Sequence, residues 1–334
     1  MPMETTLILV VVVVIMALSF DFINGFHDTA NAIATSVSTK ALTPRKAIIL
    51  ASTMNLVGAL TFTGVAKTIG GKIANPFELE NGLVVIMAAL LAAIAWNLIT
   101  WYFGIPSSSS HALIGSLVGA VIAAAGLSSV NFTGLLTILQ ALIISPLAAF
   151  SIGYVIMSLL RFIFKNFNPQ KVNRGFRSMQ IITAAFQAFS HGTNDAQKSM
   201  GIITFALIAG GMQQTLDVPL WVKVSCALAM ALGTSIGGWK IIKTVGSKII
   251  KLQPISGFAS DLTSASIIIG ATLLGQPVST THVISSAIMG VGSAKRLSSV
   301  KWGTAQKIVT TWVITLPITS LLAGLIYLFI DLLF

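Results

Sequence analysis

Two carboxylates lie in a polar stripe that follows the first apolar run of the chain. Residues 7–18 are wholly apolar, and residues 21–38 read DFINGFHDTANAIATSVS. A carboxylate at the centre of a membrane helix costs roughly 2.5 to 3.5 kcal/mol on insertion scales. Asp21 and Asp28 therefore need partners, and the neighbouring residues supply no cation. Six polar residues recur at alternating steps of three and four, which places them on one face of a helix: Asp21, Asn24, Asp28, Asn31, Thr35 and Ser38.

A similar sequence motif occurs half a chain later. Residues 188–202 read AFSHGTNDAQKSMGI, and GTND matches the earlier GFHD at a shift of 167 residues, half of the 334 in the chain. A second pair of segments, PSSSSH at 106–111 and PVSTTH at 277–282, matches at a shift of 171. The two shifts predict an internal duplication. All the histidines of the chain lie within these motifs: His27, His111, His191 and His282.

The two segments with proline and hydroxyl residues predict an anion site. A proline followed by Ser and Thr ends one helix and caps the next, which leaves backbone N–H groups at the positive end of a helix dipole. Two such helix starts near one centre can hold a tetrahedral oxyanion without a fixed cation that would slow its release. The expected anion-binding residues are Ser107, Ser108, Ser109, Ser110, Ser279, Thr280 and Thr281.

Asp28 and the matching Asp195 would repel such an anion unless a cation neutralised them. Carboxylate oxygens, with the amide oxygens of Asn24 and Asn194, suit a small hard cation. A bound cation would cancel the carboxylates and attract the anion, which is symport in its simplest electrostatic form. Sodium is the expected ion, at Asp28 and Asp195, and protons remain the alternative if these aspartates titrate in a dry site.

Composition identifies a membrane protein with many spans. The chain is 55% hydrophobic and 9% charged, with a mean hydropathy of +0.90, which excludes an ordinary soluble domain. The single cysteine, Cys226, excludes an intramolecular disulfide and a cysteine-ligated metal. The net charge of +11 comes from short clusters between apolar runs. It therefore indicates orientation in a membrane rather than a nucleic-acid partner.

The spacing of apolar runs predicts an all-α fold of about ten crossings, or ten to twelve membrane helices, some of them discontinuous or re-entrant. An odd number of crossings in each half makes the halves inverted repeats, with residues 1–165 and 179–334 joined by a basic cytoplasmic linker at 166–178. The positive-inside rule places both termini outside the plasma (inner) membrane. The expected spans are 1–25, 47–66, 82–103, 132–164, 178–211, 219–239, 258–275 and a last one ending at Phe334. Short helices are expected at 112–125 and 283–292, with a loop at 67–81.

GFHDTANAIAT, HGTNDAQKSMGI, PSSSSH and PVSTTH resemble the duplicated signature of the inorganic phosphate transporter (PiT) family over essentially the whole chain. The resemblance implies uptake of inorganic phosphate coupled to sodium or protons, inverted repeats, a homodimer in the lipid membrane, and no covalent cofactor. It implies phosphate binding by the hydroxyl residues named above together with Thr193 and Gln197. It implies cation binding by Asn24, Asp28, Asn31, Asn194 and Asp195.

The sequence departs from the family pattern at several positions. His27 stands where an Asn–Asp pair is common, and Lys198 stands where the first copy has Asn31. Lys198 could contact phosphate, or it could pair with Asp195 or Asp261. The second span has Asn55 where an acid is frequent, and Asp21 matches Ala188 in the second copy. Further candidate site residues are therefore Asp21, Asp261, Lys198, His27 and His191.

Rival functions draw on the same residues. A membrane enzyme would need an acid to orient a histidine beside a serine, and SSSSH supplies none, so no catalytic residues are expected. A divalent-metal transporter would use the histidines with Asp28 and Asp195. A sulfate permease of the same fold, or a channel, would share the breaks. His111 and His282 are expected to pack against or support other site residues rather than bind the substrate. The hydroxyls of Ser116 and Ser151 are expected to bond the carbonyl groups of the preceding turn. Close helix packing is expected at three glycines: Gly115, Gly119 and Gly290.

Overall fold

The computed structural model describes residues 3–75, 79 and 81–332, and the regular structure in that part is helical throughout. This confirms the predicted all-α fold. The helices are α1 (Met3–Ser38), α2 (Pro44–Ala59), α3 (Gly64–Lys72), α4 (Gly82–Phe103), α5 (Ser109–Ala125), α6 (Phe132–Ile163), α7 (Pro169–Ala209), α8 (Leu220–Ile236), α9 (Trp239–Lys243), α10 (Pro254–Leu273), α11 (Thr280–Lys295) and α12 (Trp302–Asp331).

Four of these helices, α1, α4, α6 and α12, are long and apolar enough to cross a membrane. Two bent pairs raise the number to as many as six: α2 with α3 at 68°, and α8 with the helical segment 239–248 at 64°. These figures rest on length and composition within the described ranges, so the expectation of about ten crossings stays a prediction. The inverted orientation of the halves stays one as well.

The bends interrupt two of the predicted spans. The segment 47–66 is not one helix, because α2 ends at Ala59 and α3 begins at Gly64. The carboxamide oxygen of Gln197 accepts hydrogen bonds from the backbone N–H groups of Val65 at 2.8 Å and Ala66 at 3.3 Å. It thereby caps the start of α3 from another helix.

The segment 219–239 is likewise interrupted, after Ile236, at Gly237 with a φ of +76°. The expected loop at 67–81 is helical as far as Lys72. The remainder of that loop includes Glu78 and Glu80, which lie outside the described residues.

The basic linker expected at 166–178 is helical for most of its length. Helix α7 begins at Pro169, and Asn168 caps it by accepting from the N–H of Gln170 at 2.9 Å. An asparagine N-cap followed by proline at the first helical position is a strong start signal. The cations Lys171, Arg174 and Arg177 are exposed on the first turns of this helix rather than in a loop.

The core is divided into two large apolar clusters that meet at the polar motif of α1. Residues from the first half of α1 pack with α4, α5, α8 and the last part of α7. Residues from its second half pack with α9, α11 and α12. Small residues allow this packing, since a Cβ on Gly25 would lie 2.5 Å from the carbonyl oxygen of Met230 on α8, and one on Gly119 would collide with Ser320 on α12.

Candidate functional site

The two predicted breaks start helices in the same way. Ser108 is the N-cap of α5 and accepts from the backbone N–H of His111 at 3.1 Å. Ser279 is the N-cap of α11 and accepts from the N–H of His282 at 3.3 Å. Each N-cap hydroxyl is therefore occupied by its own helix. The hydroxyls of the next two residues in each segment instead bond other parts of the site: those of Ser109 and Thr281 donate to Asp28, that of Thr280 donates to Asp195, and that of Ser110 donates to the Val278 carbonyl.

Asp28 contacts a histidine ring and two hydroxyl groups. Its Oδ1 lies 2.6 Å from His27 Nδ1 and 3.5 Å from the Thr281 hydroxyl, and its Oδ2 accepts from the Ser109 hydroxyl at 3.5 Å. One turn on, the amide nitrogen of Asn31 donates to Thr280 at 3.2 Å and to Thr281 at 2.9 Å. The first motif therefore contacts both breaks at once.

Asp195 is instead paired with a cation. Its Oδ1 lies 2.5 Å from Lys198 Nζ, and its Oδ2 accepts from the Thr280 hydroxyl at 3.2 Å. The Lys198 ammonium also donates to the Ser110 hydroxyl at 2.5 Å and to the Val278 carbonyl at 3.1 Å. Of the alternatives for Lys198, the structure supports the ion pair with Asp195. Asp261 lies elsewhere, where it accepts from Thr35 at 2.5 Å and from Gln180 at 3.4 Å.

The two aspartates meet at one point. One oxygen of Asp28, one oxygen of Asp195 and one ring nitrogen of His191 all lie within 4.8 Å of one another. Two oxygens that share one hard cation at roughly 2.4 Å each lie no more than about 4.8 Å apart. The arrangement can therefore hold a small cation between the carboxylates. Asp28, Asn31, Asp195 and Lys198 are at most 3% exposed, so the site is closed to solvent on every side.

Several predicted residues support the site without facing it. Gln197 caps α3, as described above, and its amide nitrogen bonds the Thr193 carbonyl. The Thr193 hydroxyl donates to the Ser190 carbonyl at 2.7 Å. Asn194 accepts from the backbone N–H of Val278 at 3.2 Å and donates to the Gln276 carbonyl at 3.1 Å, so it fixes the second break. Ser107 donates to Thr100 at 2.8 Å.

Asp21 and Asn24 are fully buried, and their side-chain oxygens and nitrogen have no hydrogen-bond partner among the described residues. They lie on the same face of α1 as Asp28, one and two turns before it. Neither side chain bonds Asp28 or a residue that contacts it. The predicted pairing of Asn24 with Asp28 as cation ligands is therefore not supported by a direct hydrogen bond between them.

The histidines have four different environments. His27 bridges Asp28 and the Thr100 hydroxyl, which lies 3.1 Å from its Nε2. His191 lies between Asp195, at 3.4 Å, and Asn55, at 3.2 Å. The rings of His111 and His282 lie 4.4 Å apart, and His282 stacks on Trp312 at 3.9 Å, in agreement with the predicted packing role.

The sequence did not point to some of the supporting residues. The Gln187 amide donates to the Asn31 carbonyl at 3.1 Å and accepts from Ser264 at 2.7 Å, and Thr100 holds His27. Gln187 lies one turn before His191 on the polar face of α7, and this spacing could have identified it in the sequence. The Ser151 hydroxyl bonds the Leu147 carbonyl as predicted, at 3.0 Å. The prediction was wrong for Ser116, whose hydroxyl has no such bond in the described structure.

Comparison with known proteins gives consistent matches along the chain. Residues 24–323 match the model of the phosphate transporter family. The chain is 61% identical over 333 residues to a protein of Bacillus subtilis (strain 168), covering 99% of this chain and 100% of that one. It is 46% identical to a protein of Rhizobium meliloti (strain 1021), covering 97% of both. Each is named "Probable low-affinity inorganic phosphate transporter". A solved structure of a sodium-dependent phosphate transporter is similar with a TM-score of 0.87 and 25% identity, over 98% of this chain and 100% of that one.

Proposed function

Since the chain belongs to the phosphate transporter family, we propose that it carries inorganic phosphate together with sodium across the plasma membrane by alternating access. The single observation that supports this best is that Asp28 and Asp195 lie close together, and that each accepts a hydrogen bond from a hydroxyl of one of the two breaks. Cation and anion positions therefore lie next to each other in an enclosed space. In such a space, opposite charges attract strongly and are little screened.

The phosphate position lies between the two helix starts. Ser109, Ser110, Thr280 and Thr281 supply hydroxyls there, and the first-turn amides of α5 and α11 add backbone donors. The Lys198 ammonium, which already bonds Ser110, contributes a fixed positive charge beside them. These donors suit the many acceptor oxygens of phosphate.

The sodium position lies between Asp28 and Asp195. Lys198 already offsets the charge of Asp195, so the charge left for an exchangeable ion is that of Asp28. Sodium arriving there removes the repulsion that phosphate would meet, and phosphate in turn favours sodium. This reciprocity is the thermodynamic basis of coupling.

Alternating access follows from the closure of the site. Because the four central residues are buried, substrate can enter or leave only after a rearrangement of the halves. The duplicated breaks, one from each half, provide two elements that could move against each other. The homodimer stays a prediction from the family resemblance, and chemical crosslinking in the membrane tests it.

A divalent-metal transporter is less well supported. His111 and His282 are stacked on each other and on Trp312, and His27 is engaged by Asp28 and Thr100. The set of histidines that this function requires is therefore dispersed, and among the described residues only His191 has a ring nitrogen within 4.8 Å of both aspartates.

The test is uptake of labelled phosphate into proteoliposomes, first with an imposed sodium gradient and then with a proton gradient. Sodium-driven uptake that excess sulfate does not inhibit supports the proposal. Uptake driven by protons alone overturns the assignment of sodium, and strong competition by sulfate overturns the assignment of phosphate. Radiolabelled divalent-metal uptake in the same vesicles, independent of phosphate, would favour the metal alternative.

A further inference from the structure

A second group of buried polar side chains lies toward the start of α1, away from the breaks. Its members come from four helices: Asp21 and Asn24 from α1, Asn97 from α4, Ser116 from α5 and Ser199 from α7. All have 0% exposure, and within the described part of the chain their side-chain oxygen and nitrogen atoms form no hydrogen bond of ordinary length and angle; among them, the Ser199 hydroxyl approaches the Asp21 carboxylate. We call these residues the Asp21 cluster.

Packing between α1, α4 and α7 brings four members together. Ser199 is the hydroxyl residue beside Asp21, and Asn24 lies one turn further along the same face of α1. On α4, Thr100 bonds His27 and Trp101 packs on Phe26. The preceding turns of both helices share one apolar cluster. The two helices therefore run side by side in the same direction, which brings Asn97, one turn before Thr100, to the level of Asn24.

Helix α5 adds the last member. Ser109 faces Asp28, and Ser116 lies seven residues later, on the same face of the helix. Helix α5 packs on α4 and α12, and α4 packs on α1. Ser116 therefore lies near the level of Asp21, which is seven residues before Asp28.

Burying such a group of polar side chains lowers the stability of the fold unless the group binds a ligand. A buried polar group without a hydrogen bond costs about 1 to 3 kcal/mol by mutational measures, and an unpaired charge costs far more. Lys198, the buried cation of α7, is already held by Asp195 and Ser110 and is not available to Asp21. The members together supply two carboxylate oxygens, two amide oxygens and two hydroxyls, which is a set of ligands for a hard cation.

The second half of the chain does not repeat this group. At the shifts of the duplication, Asp21, Asn97 and Ser116 correspond to Ala188, Ile268 and Ala287, and Ser199 corresponds to Ala32 in the first half. These four counterparts are buried apolar residues. The fifth member, Asn24, corresponds to His191, which contacts Asp195 and Asn55 in the central site. The fold therefore accommodates apolar side chains at four of the five positions, so the polar ones there are not needed for packing.

We propose that the Asp21 cluster binds a sodium ion, at a site distinct from the one between Asp28 and Asp195. A single carboxylate among neutral oxygens suits a monovalent ion better than a divalent one. A proton alone would leave the amide groups of Asn24 and Asn97 without partners. The proposal rests on the proposed function in so far as sodium must be a ligand of this transporter.

The test is equilibrium binding of radiolabelled sodium to the purified chain in lipid nanodiscs, with choline chloride keeping the ionic strength constant. Asp21→Asn, which keeps the shape and removes the charge, should bind about one sodium ion fewer per chain, and the sodium-dependent rise in its Tm should be smaller. Asn97→Leu, which removes a neutral ligand, should weaken sodium binding about tenfold. Asp217→Asn, at an exposed loop acid, is the control and should bind as much sodium as the unaltered chain.

The outcomes separate this proposal from the preceding one. If Asp28→Asn lowers bound sodium while Asp21→Asn and Asn97→Leu do not, the Asp21 site is refuted and the central site stands. If Asp28→Asn leaves binding unchanged and Asp21→Asn lowers it, the Asp21 site stands and the central assignment is refuted. A chain that binds no sodium at all refutes both. Should Asp21→Asn fail to fold, Asn97→Leu and Ser199→Ala give the decision, since neither introduces a polar group or a charge.

Discussion

Asp28 and Asp195 occupy the same position of a duplicated motif, yet the protein neutralises them differently. Asp28 is surrounded by His27 and by the hydroxyls of Ser109 and Thr281. Asp195 is bonded to the ammonium of Lys198. The difference arises three residues after each aspartate, where the first copy has Asn31 and the second has Lys198. A duplication of sequence therefore does not produce a symmetric distribution of charge.

The difference has a consequence for coupling. A lysine ammonium attached to the chain cannot leave with the substrate, so we expect the charge of Asp195 to stay offset throughout a transport cycle. Of these two aspartates, we expect only Asp28 to change its net charge when an ion binds or dissociates. We therefore expect the first half of the chain to determine the dependence on the coupling ion, and the second half to supply a constant positive charge near phosphate.

The largest effect is expected when the fixed pair is broken. Asp195→Asn leaves the Lys198 ammonium buried and unpaired, which should lower the free energy of unfolding by about 3 to 5 kcal/mol. Thermal unfolding in a mild detergent measures the change. The double variant Asp195→Asn with Lys198→Asn removes both charges and should recover most of the stability. A single variant as stable as the unaltered chain would show that the pair is not formed.

Asp28→Asn should instead preserve the fold and impair transport. No lysine or arginine is paired with Asp28 in the described structure, so its neutralisation leaves no permanent cation unpaired. Loss of an ionic ligand of about 1.5 to 3 kcal/mol corresponds to roughly tenfold to 100-fold weaker sodium-driven uptake. Uptake in proteoliposomes at fixed phosphate and varied sodium measures it. Normal sodium dependence in this variant would place the coupling ion elsewhere.

Lys198→Asn should make the two halves more alike. The variant gives Asp195 the neighbour that Asp28 has, so a further sodium ion can take the place of the ammonium. We expect phosphate uptake to need more sodium, with a steeper dependence on sodium concentration and little uptake when sodium is low. Lys198→Arg keeps the charge and is the matched control. A sodium dependence that is the same in Asn and Arg variants would contradict the role of a fixed charge.

The sequence predicts the positions of the two aspartates better than it predicts how each one is paired. The duplicated Asp28 and Asp195, the presence of a helix after each proline-hydroxyl segment, and the all-helical fold follow from spacing and composition, although the helices begin at Ser109 and Thr280, three residues before the predicted starts at 112 and 283. The choice of Asp195 rather than Asp261 as the partner of Lys198 did not follow, because the spacing of three residues on α7 permits the first pair, whereas the second depends on which face of α7 meets α10. The helix break after Ala59 was missed for a related reason, since Gln197 stabilises it from a distant part of the chain.

The smallest effect is expected at an ion pair of the same chemistry in a different environment. Lys67 Nζ lies 2.7 Å from Asp217 Oδ1, but the two side chains are 50% and 72% exposed, whereas Lys198 and Asp195 are each 1% exposed. The hydrogen bond from Lys67 and then its charge lower the pKa of Asp217 below its ordinary value of 3.8. A carboxylate whose pKa is lowered in the folded state adds stability at pH values above its pKa in the unfolded state, and this stability disappears as the pH falls through the folded-state pKa.

Solvent and salt screen an exposed ion pair. Asp217→Asn should therefore change the Tm only slightly at neutral pH, less at high salt, and not at all in acid, with uptake unchanged. A large loss of Tm in this variant would mean that burial is not what separates the two pairs.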